Sequence, residues 1–175
     1  ALPISTAAAL TSLLTGVDPG RHGLVGYEVR DPRTGTIVNQ LSGWEKAKAD
    51  PREWQRTPTV FETAAAGGRP SFAVGLAEYA RSGFSAATLR GAEFHAARTA
   101  SERMALALNL AEEHEGALVY CYLPEADKAG HKHGMASGEW VAALEELDAA
   151  IPGTVPDGVG LLVTADHGMV DVPAS

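Results

Sequence analysis

A single cysteine, Cys121, stands among the 175 residues of this chain. No internal disulfide can therefore form, and no cluster of thiolates can bind a metal. Positive charge is scarce as well: 14 Lys and Arg face 22 Asp and Glu, for a formal charge of −8. Phosphate backbones are held by clustered Lys and Arg, so this deficit argues against a stable nucleic-acid partner. Aromatic residues make up only 6%, and the apolar content leans on alanine, which predicts a core of small side chains and close helix contacts. No apolar run approaches the roughly 18 residues of a membrane-spanning helix. Internal repeats and low-complexity tracts are missing too. The chain opens on Ala-Leu-Pro-Ile, neither a Met start nor a signal peptide, and its compartment stays open. Both ends look cut, so the expectation is an interior piece of a longer polypeptide.

What is present is an ordinary globular composition, with 45% hydrophobic and 21% charged residues, which excludes wholesale disorder. Ser71–Leu76, Leu118–Leu123 and Gly160–Ala165 are near-continuous apolar runs. Strands buried on both faces of a parallel sheet read this way. Helical patterns alternate with them. Thr99 and Glu102 have capping-box spacing and predict a helix through about His114. Ser137 precedes a second, with Trp140, Leu144, Leu147 and Ile151 as one buried stripe, stopped by Pro152-Gly153. Pro58–Ala66 reads as a helix ended by Gly67-Gly68, and Ala7–Leu14 as one closed by Gly16. Residues 26–58 lack a clear period and predict an irregular insertion over the sheet, with a short hairpin around Arg33–Gly35. The expected fold is α/β: one partial domain over 1–175 with a mostly parallel sheet flanked by helices, incomplete at both termini. Ligands of such sheets gather beyond the carboxyl ends of the strands.

Three clusters fall there. Thr164-Ala-Asp166-His167-Gly168-Met169 delivers a carboxylate and an imidazole at the end of a hydrophobic run, donors that suit a divalent transition metal such as zinc. In Tyr122-Leu-Pro-Glu125-Ala-Asp127-Lys-Ala-Gly130-His131-Lys-His133-Gly134, Asp127 and His131 are four apart. One helical face would bring them together; the two glycines favour a tight loop or single turn instead. Glu125 is read as facing solvent, and His133 as flanking. At the opening, Ser5 and Thr6 sit where a helix begins, either as simple N-caps or as a hydroxyl placed to attack phosphorus where backbone N–H groups favour a phosphoryl group. Taken alone, each cluster has a bland reading as a cap, a turn or a solvated loop. Together they hold most of what a two-metal phosphoryl-transfer site requires.

These three ordered motifs resemble the alkaline phosphatase superfamily, and within it the nucleotide pyrophosphatase/phosphodiesterase branch. Thr6 with Ser12-Leu-Leu-Thr15-Gly16, Pro19 and His22-Gly23-Leu24 resembles the nucleophile segment, and the other two clusters resemble the two metal-ligand segments. The resemblance implies an alkaline-phosphatase-like fold and a phosphodiesterase or nucleotide pyrophosphatase acting on a small phosphate ester or nucleotide. It implies Thr6 as a nucleophile forming a phospho-threonine. Asp127 and His131 would hold one divalent ion, and Asp166 and His167 with Thr6 the other; zinc is expected, with manganese as the substitute. His22 would support the loop after the nucleophile helix. A further Asp and His of the family fall outside this chain. Tyr27 stands where an Asn commonly contacts the phosphate, and a phenol can donate the same hydrogen bond. Trp44 and Trp54 are candidates for base stacking or for packing. Cys121 reads as buried packing. The alternatives are a phosphomonoesterase or phosphonate hydrolase of the same superfamily, or a non-catalytic metal-binding domain.

Overall fold

The computed structural model describes residues 5–172; residues 1–4 and 173–175, on which the reading of cut ends rests, lie outside the described residues. The first half of the chain forms α1 (Thr6–Thr15), α2 (Pro19–His22), β1 (Glu28–Arg30), β2 (Ile37–Asn39), α3 (Trp44–Ala47), α4 (Pro51–Trp54) and α5 (Val60–Ala66). Next come β3 (Ser71–Gly75), a 3-10 turn at Ala77–Tyr79, α6 (Gly83–Thr88) and β4 (Glu93–Ala96). The chain continues through α7 (Ala100–Glu113), β5 (Leu118–Cys121), α8 (Glu125–His133) and α9 (Gly138–Ala150).

The central sheet has the order β4-β3-β5, with both pairings parallel. All five residues of β3 are buried, as its unbroken apolar run requires of a strand covered on both faces. Side chains alternate across a strand, and the two layers follow that alternation. Phe72 and Val74 join Ala107 and Leu110 of α7, with Val119 and Cys121 alongside. On the opposite face, Tyr120 and Tyr122 meet Leu10 and Leu14 of α1 and Phe61 of α5. Burying Phe61 completely contributes about 1.5–3 kcal/mol. The capping signal at α7 takes the expected form, Thr99 and Glu102 closing a reciprocal box; at α5 the helix begins after Thr59 rather than at Pro58, and Thr59 and Glu62 close a second box.

Three readings need correction, and one strand went unread. Gly160–Ala165 joins no sheet. Leu162 is 84% and Val163 60% exposed; an apolar run becomes a buried strand only where an edge and a cover on both faces receive it, and here neither face is covered. The third strand of the sheet is instead β4, an edge strand whose charged Glu93 breaks the apolar run. The stripe of α9 is not buried, since no residue of that helix is and Leu144 is exposed; α9 lies against α7 and α8 at the surface. Residues 125–133 form a helix rather than a tight loop, because Gly130 serves close approach: a Cβ there would overlap the Met169 sulfur and lie 3.2 Å from Trp140 Cδ1.

Within 26–58, β1 and β2 pair antiparallel with Val29 opposite Val38. The Asp31 carboxylate accepts from the Arg33 N–H (2.8 Å) in their connecting turn. Trp44 is buried with Leu24, Val38 and Ala87. Its ring meets Trp54 edge-on at 5.9 Å, and the Trp54 indole N–H donates to the Gly23 carbonyl (2.8 Å). Both tryptophans therefore pack this lobe, and a buried Trp44 is closed to any base.

Candidate active site

The carboxyl ends of β3, β4 and β5 leave the sheet on one side. From β5 the chain turns into α8, which carries Asp127 and His131 one turn apart, with His131 Nε2 3.4 Å from Asp127 Oδ1. Thr6 opens α1, entered through an extended Ser5 whose hydroxyl caps nothing. The third contribution comes from the stretch after α9. Asp171 accepts from the Met135 N–H (3.0 Å), and Met169 rests against Gly130, so this stretch is pinned along α8 without being a strand.

That pinning brings His167 to Thr6, 161 residues away in sequence, with Oγ1 and Nε2 2.9 Å apart. On its other side His167 Nδ1 meets its neighbour's carbonyl, Gly168 O, at 2.9 Å. A carbonyl only accepts, so Nδ1 carries the ring proton and Nε2 presents its lone pair. The Thr6 hydroxyl is thereby the donor to His167. Asp166 Oδ2 lies 3.5 Å and Asp127 Oδ1 3.8 Å from the same Nε2. Both carboxylate oxygens are buried and accept no hydrogen bond. Two carboxylate oxygens thus crowd the His167 nitrogen that receives the Thr6 hydroxyl, and neither has a protein donor. Such orphaned acceptors are costly unless a cation or an outside donor joins them, and the mixed carboxylate and imidazole donors suit zinc or manganese. Among the described residues no group of three or more His, Cys, Asp and Glu side chains stands ready-made to hold a metal ion.

Five of the six expected site residues, Thr6, Asp127, His131, Asp166 and His167, are therefore brought together. The sixth is not. Tyr27 is 58% exposed before β1, and its phenol forms no hydrogen bond to the other five among the described residues. His133 turns toward Glu139 on α9 (3.9 Å). His22 is buried with its Nε2 on the Ser12 hydroxyl (3.0 Å), and its Nδ1 accepts from the Leu24 N–H (3.1 Å). Burial, the largest effect on it, holds its pKa below the ordinary value.

Two features go beyond the sequence reading, which placed Tyr122 ahead of the Asp127 cluster without a partner. Tyr120 and Tyr122 stack at 6.3 Å on the face of β5 toward α1. Burial first, and the Asp166 charge among other neighbours, push both phenols well above their ordinary pKa, so they stay protonated beside the carboxylates. Their two-residue spacing at the strand end was the available signal. The other feature is a correction. Glu125 does not face solvent; it pairs with Arg103 of α7, whose side chain is fully buried. Arg103 also donates to the carbonyls of Arg98 (2.7 Å) and Ala97 (3.4 Å). This guanidinium fastens the exit of β4 to the first residue of α8, two positions before Asp127. No local pattern marks it, because the partners lie 22 residues apart.

The family model described as type I phosphodiesterase / nucleotide pyrophosphatase matches residues 1–175. An uncharacterized pyrophosphatase/phosphodiesterase of Schizosaccharomyces pombe is 27% identical over 172 residues, covering 90% of this chain and 34% of that protein. Human ectonucleotide pyrophosphatase/phosphodiesterase family member 1 is 25% identical over 181 residues, covering 95% of this chain and 19% of its own length. Among solved structures, phosphonoacetate hydrolase from Sinorhizobium meliloti in complex with phosphonoformate superposes with a TM-score of 0.58 at 21% identity, covering 85% of this chain and 41% of that one. The chain thus spans about a third and a fifth of the curated relatives it matches, and shares the fold of the phosphonate enzyme.

Proposed function

Since the chain belongs to the type I phosphodiesterase / nucleotide pyrophosphatase family, within the alkaline phosphatase superfamily, we propose that it is the nucleophile-bearing part of a metal-dependent hydrolase of phosphoric diesters or pyrophosphates. The observation that carries the reading is the Thr6 hydroxyl at the start of α1, hydrogen-bonded to a His167 nitrogen whose tautomer is set by Gly168. The substrate's phosphoryl group would sit at the amino end of α1, where free N–H groups and the helix dipole favour negative charge. Thr6 Oγ1 attacks phosphorus in line; its O–P bond forms as the bond to the leaving oxygen breaks, and the hydroxyl proton passes to solvent, since the His167 Nε2 lone pair and the Asp166 carboxylate would be committed to a divalent ion. Water then hydrolyses the phospho-threonine and regenerates Thr6. Asp127 and His131 would hold one divalent ion, and Asp166 and His167 the other beside Thr6; zinc or manganese there supplies a lowered pKa for the nucleophile and neutralises phosphoryl oxygens. The orphaned carboxylate oxygens support that assignment.

Hydrolysis of bis-p-nitrophenyl phosphate and p-nitrophenyl phosphate by the full-length protein with added zinc tests the reading. Faster diester turnover that drops to background in Thr6→Ala is expected. Diester turnover surviving that substitution overturns Thr6 as nucleophile, and faster monoester turnover makes the protein a phosphomonoesterase.

A further inference from the structure

Arg52, Gln55, Arg56 and Pro58 line an open cleft of about 500 Å³, completed by Glu62 of α5 and by Arg90 after α6. None of these side chains belongs to the Thr6 site. Arg90 is occupied: Nε donates to Glu62 Oε1 (3.2 Å), Nη1 to the carbonyls of Gln55 (3.0 Å) and Ala87 (2.6 Å), and Nη2 to that of Thr57 (2.8 Å). It neutralises Glu62 and has one N–H left. Arg52 and Arg56 differ. Both are exposed, and Arg56 spends only its Nε, on the Glu53 carbonyl (2.7 Å). The Arg52 guanidinium has no partner among the described residues. The two nearest carboxylates in sequence are engaged elsewhere, Glu53 with Arg33 (3.7 Å) and Asp50 with the backbone N–H of Arg52 (2.8 Å). In a chain of charge −8, this cleft sets three arginines against one glutamate. Gln55 adds the opposite polarity. It is fully buried, and its Nε2 donates to the Ala87 carbonyl (3.0 Å). A carbonyl only accepts, so the amide cannot be turned over. Its Oε1 accepts no hydrogen bond, an orphaned acceptor that a donor from outside the chain would relieve.

We propose that this cleft is a binding site for inorganic phosphate, held as hydrogen phosphate. Its unprotonated oxygens accept from the free N–H groups of Arg52 and Arg56, the charge-assisted pairing that guanidiniums favour. Its P–OH donates to Gln55 Oε1. The same arrangement selects against sulfate, which has nearly the same size and carries no proton at neutral pH. Sulfate would set a lone pair against the Gln55 oxygen and leave that acceptor unpaired. The cleft exceeds the volume of the ion, so the ion enters with part of its water shell at the exposed side. Occupation of this site does not depend on turnover at Thr6.

Equilibrium dialysis of the full-length, metal-loaded protein against radiolabelled inorganic phosphate at neutral pH tests this. Wild type is expected to hold one more phosphate per chain than the double variant Arg52→Gln with Arg56→Gln, whatever number the Thr6 site binds. Each single variant should weaken the additional site about tenfold, the scale of one charge-assisted contact. Sulfate should displace the additional phosphate about tenfold less well than unlabelled phosphate does. Equal numbers bound by wild type and double variant overturn the site, and sulfate competing as well as phosphate overturns the hydrogen bond to Gln55 that defines it. Both arginines are exposed, so the variants keep the fold, and superimposable circular dichroism spectra verify it. Hydrolysis assays on the same preparations keep the two conclusions apart. A protein that turns over neither nitrophenyl ester but binds one phosphate fewer in the double variant loses the hydrolase reading and keeps the phosphate site.

Discussion

Replacing Arg103 by Met puts the buried ion pair under α8 to a direct test. The substitution nearly conserves volume while removing the guanidinium that serves Glu125 and the carbonyls of Ala97 and Arg98. Arg103 is fully buried and the Glu125 side chain is 20% exposed, so the orphaned carboxylate gains little from solvent. Breaking one side of a buried pair costs about 3–5 kcal/mol, a large share of the roughly 5–15 kcal/mol that holds a typical domain together. At about 2–4 °C per kcal/mol for a domain of this size, the melting temperature should fall by about 6–20 °C. Urea unfolding followed by circular dichroism supplies the free energy. The double variant Arg103→Met with Glu125→Gln should recover part of the loss, because no unpaired charge is then left inside. A single-variant cost below about 1 kcal/mol, or a double variant no better than the sum of its parts, would refute the claim that this pair anchors the start of α8.

Other outcomes follow from the same structure. Burial pushes the Cys121 thiol up to about 11, so Ellman's reagent at pH 8 should label it far more slowly in the native protein than in urea; equal rates would place the thiol outside the core. The depressed pKa of His22 means that the unfolded chain takes up a proton first as pH falls. Its contribution to stability is complete above about pH 6.5, declines below that value, and levels off under the folded pKa; urea midpoints across pH 5–8 should lose this component in His22→Asn, and an identical slope refutes it. Gly130→Ala gains about 1 kcal/mol of helix propensity against about 1–3 kcal/mol of overpacking on Met169 and Trp140, so stability should fall by less than about 2 kcal/mol. Turnover should fall more than tenfold as the stretch bearing His167 shifts, and unimpaired turnover would show that Met169 gives way without moving the site.

How much of this was legible depended on the range of the interaction concerned. The boxes at Thr99 and Glu102, and at Thr59 and Glu62, close within four residues, and the local pattern suffices to find them. The strand β3 was legible because burial on both faces demands an unbroken apolar run, and β5, half-buried at the other edge, carries a similar run. That rule misled at Gly160–Ala165, where the run exists and the covering elements do not, and it was blind to β4, whose Glu93 and His95 occupy an edge. Glu125 read as a surface carboxylate because it opens a stretch rich in charge, with Asp127, Lys128 and Lys132; the buried cation that receives it belongs to another helix. Gly130 read as a turn because the side chains it admits, Met169 and Trp140, are distant in the chain. For the site, three strand-end clusters identified the five side chains that converge. The tautomer of His167 and the orphaned oxygens that lend the cluster its chemistry needed coordinates.

The hydrogen bond between Thr6 and His167 spans 161 positions of a 175-residue chain. Few contacts in a domain of this size close a larger loop, and the entropy of that closure is recovered only once the intervening sheet and α8 exist to hold the ends. Long-range closure of this kind predicts that the Thr6–His167 contact forms late in folding, after helix and strand signals have appeared. It also makes the site divisible. A cut in the connection at 152–159, which contains no helix or strand, would part Thr6 from His167 while leaving every strand on one piece. If the proposed activity holds, restoration of turnover in the full-length protein on mixing the two pieces would measure the affinity of the 160–172 stretch for α8, making the candidate site its own complementation assay.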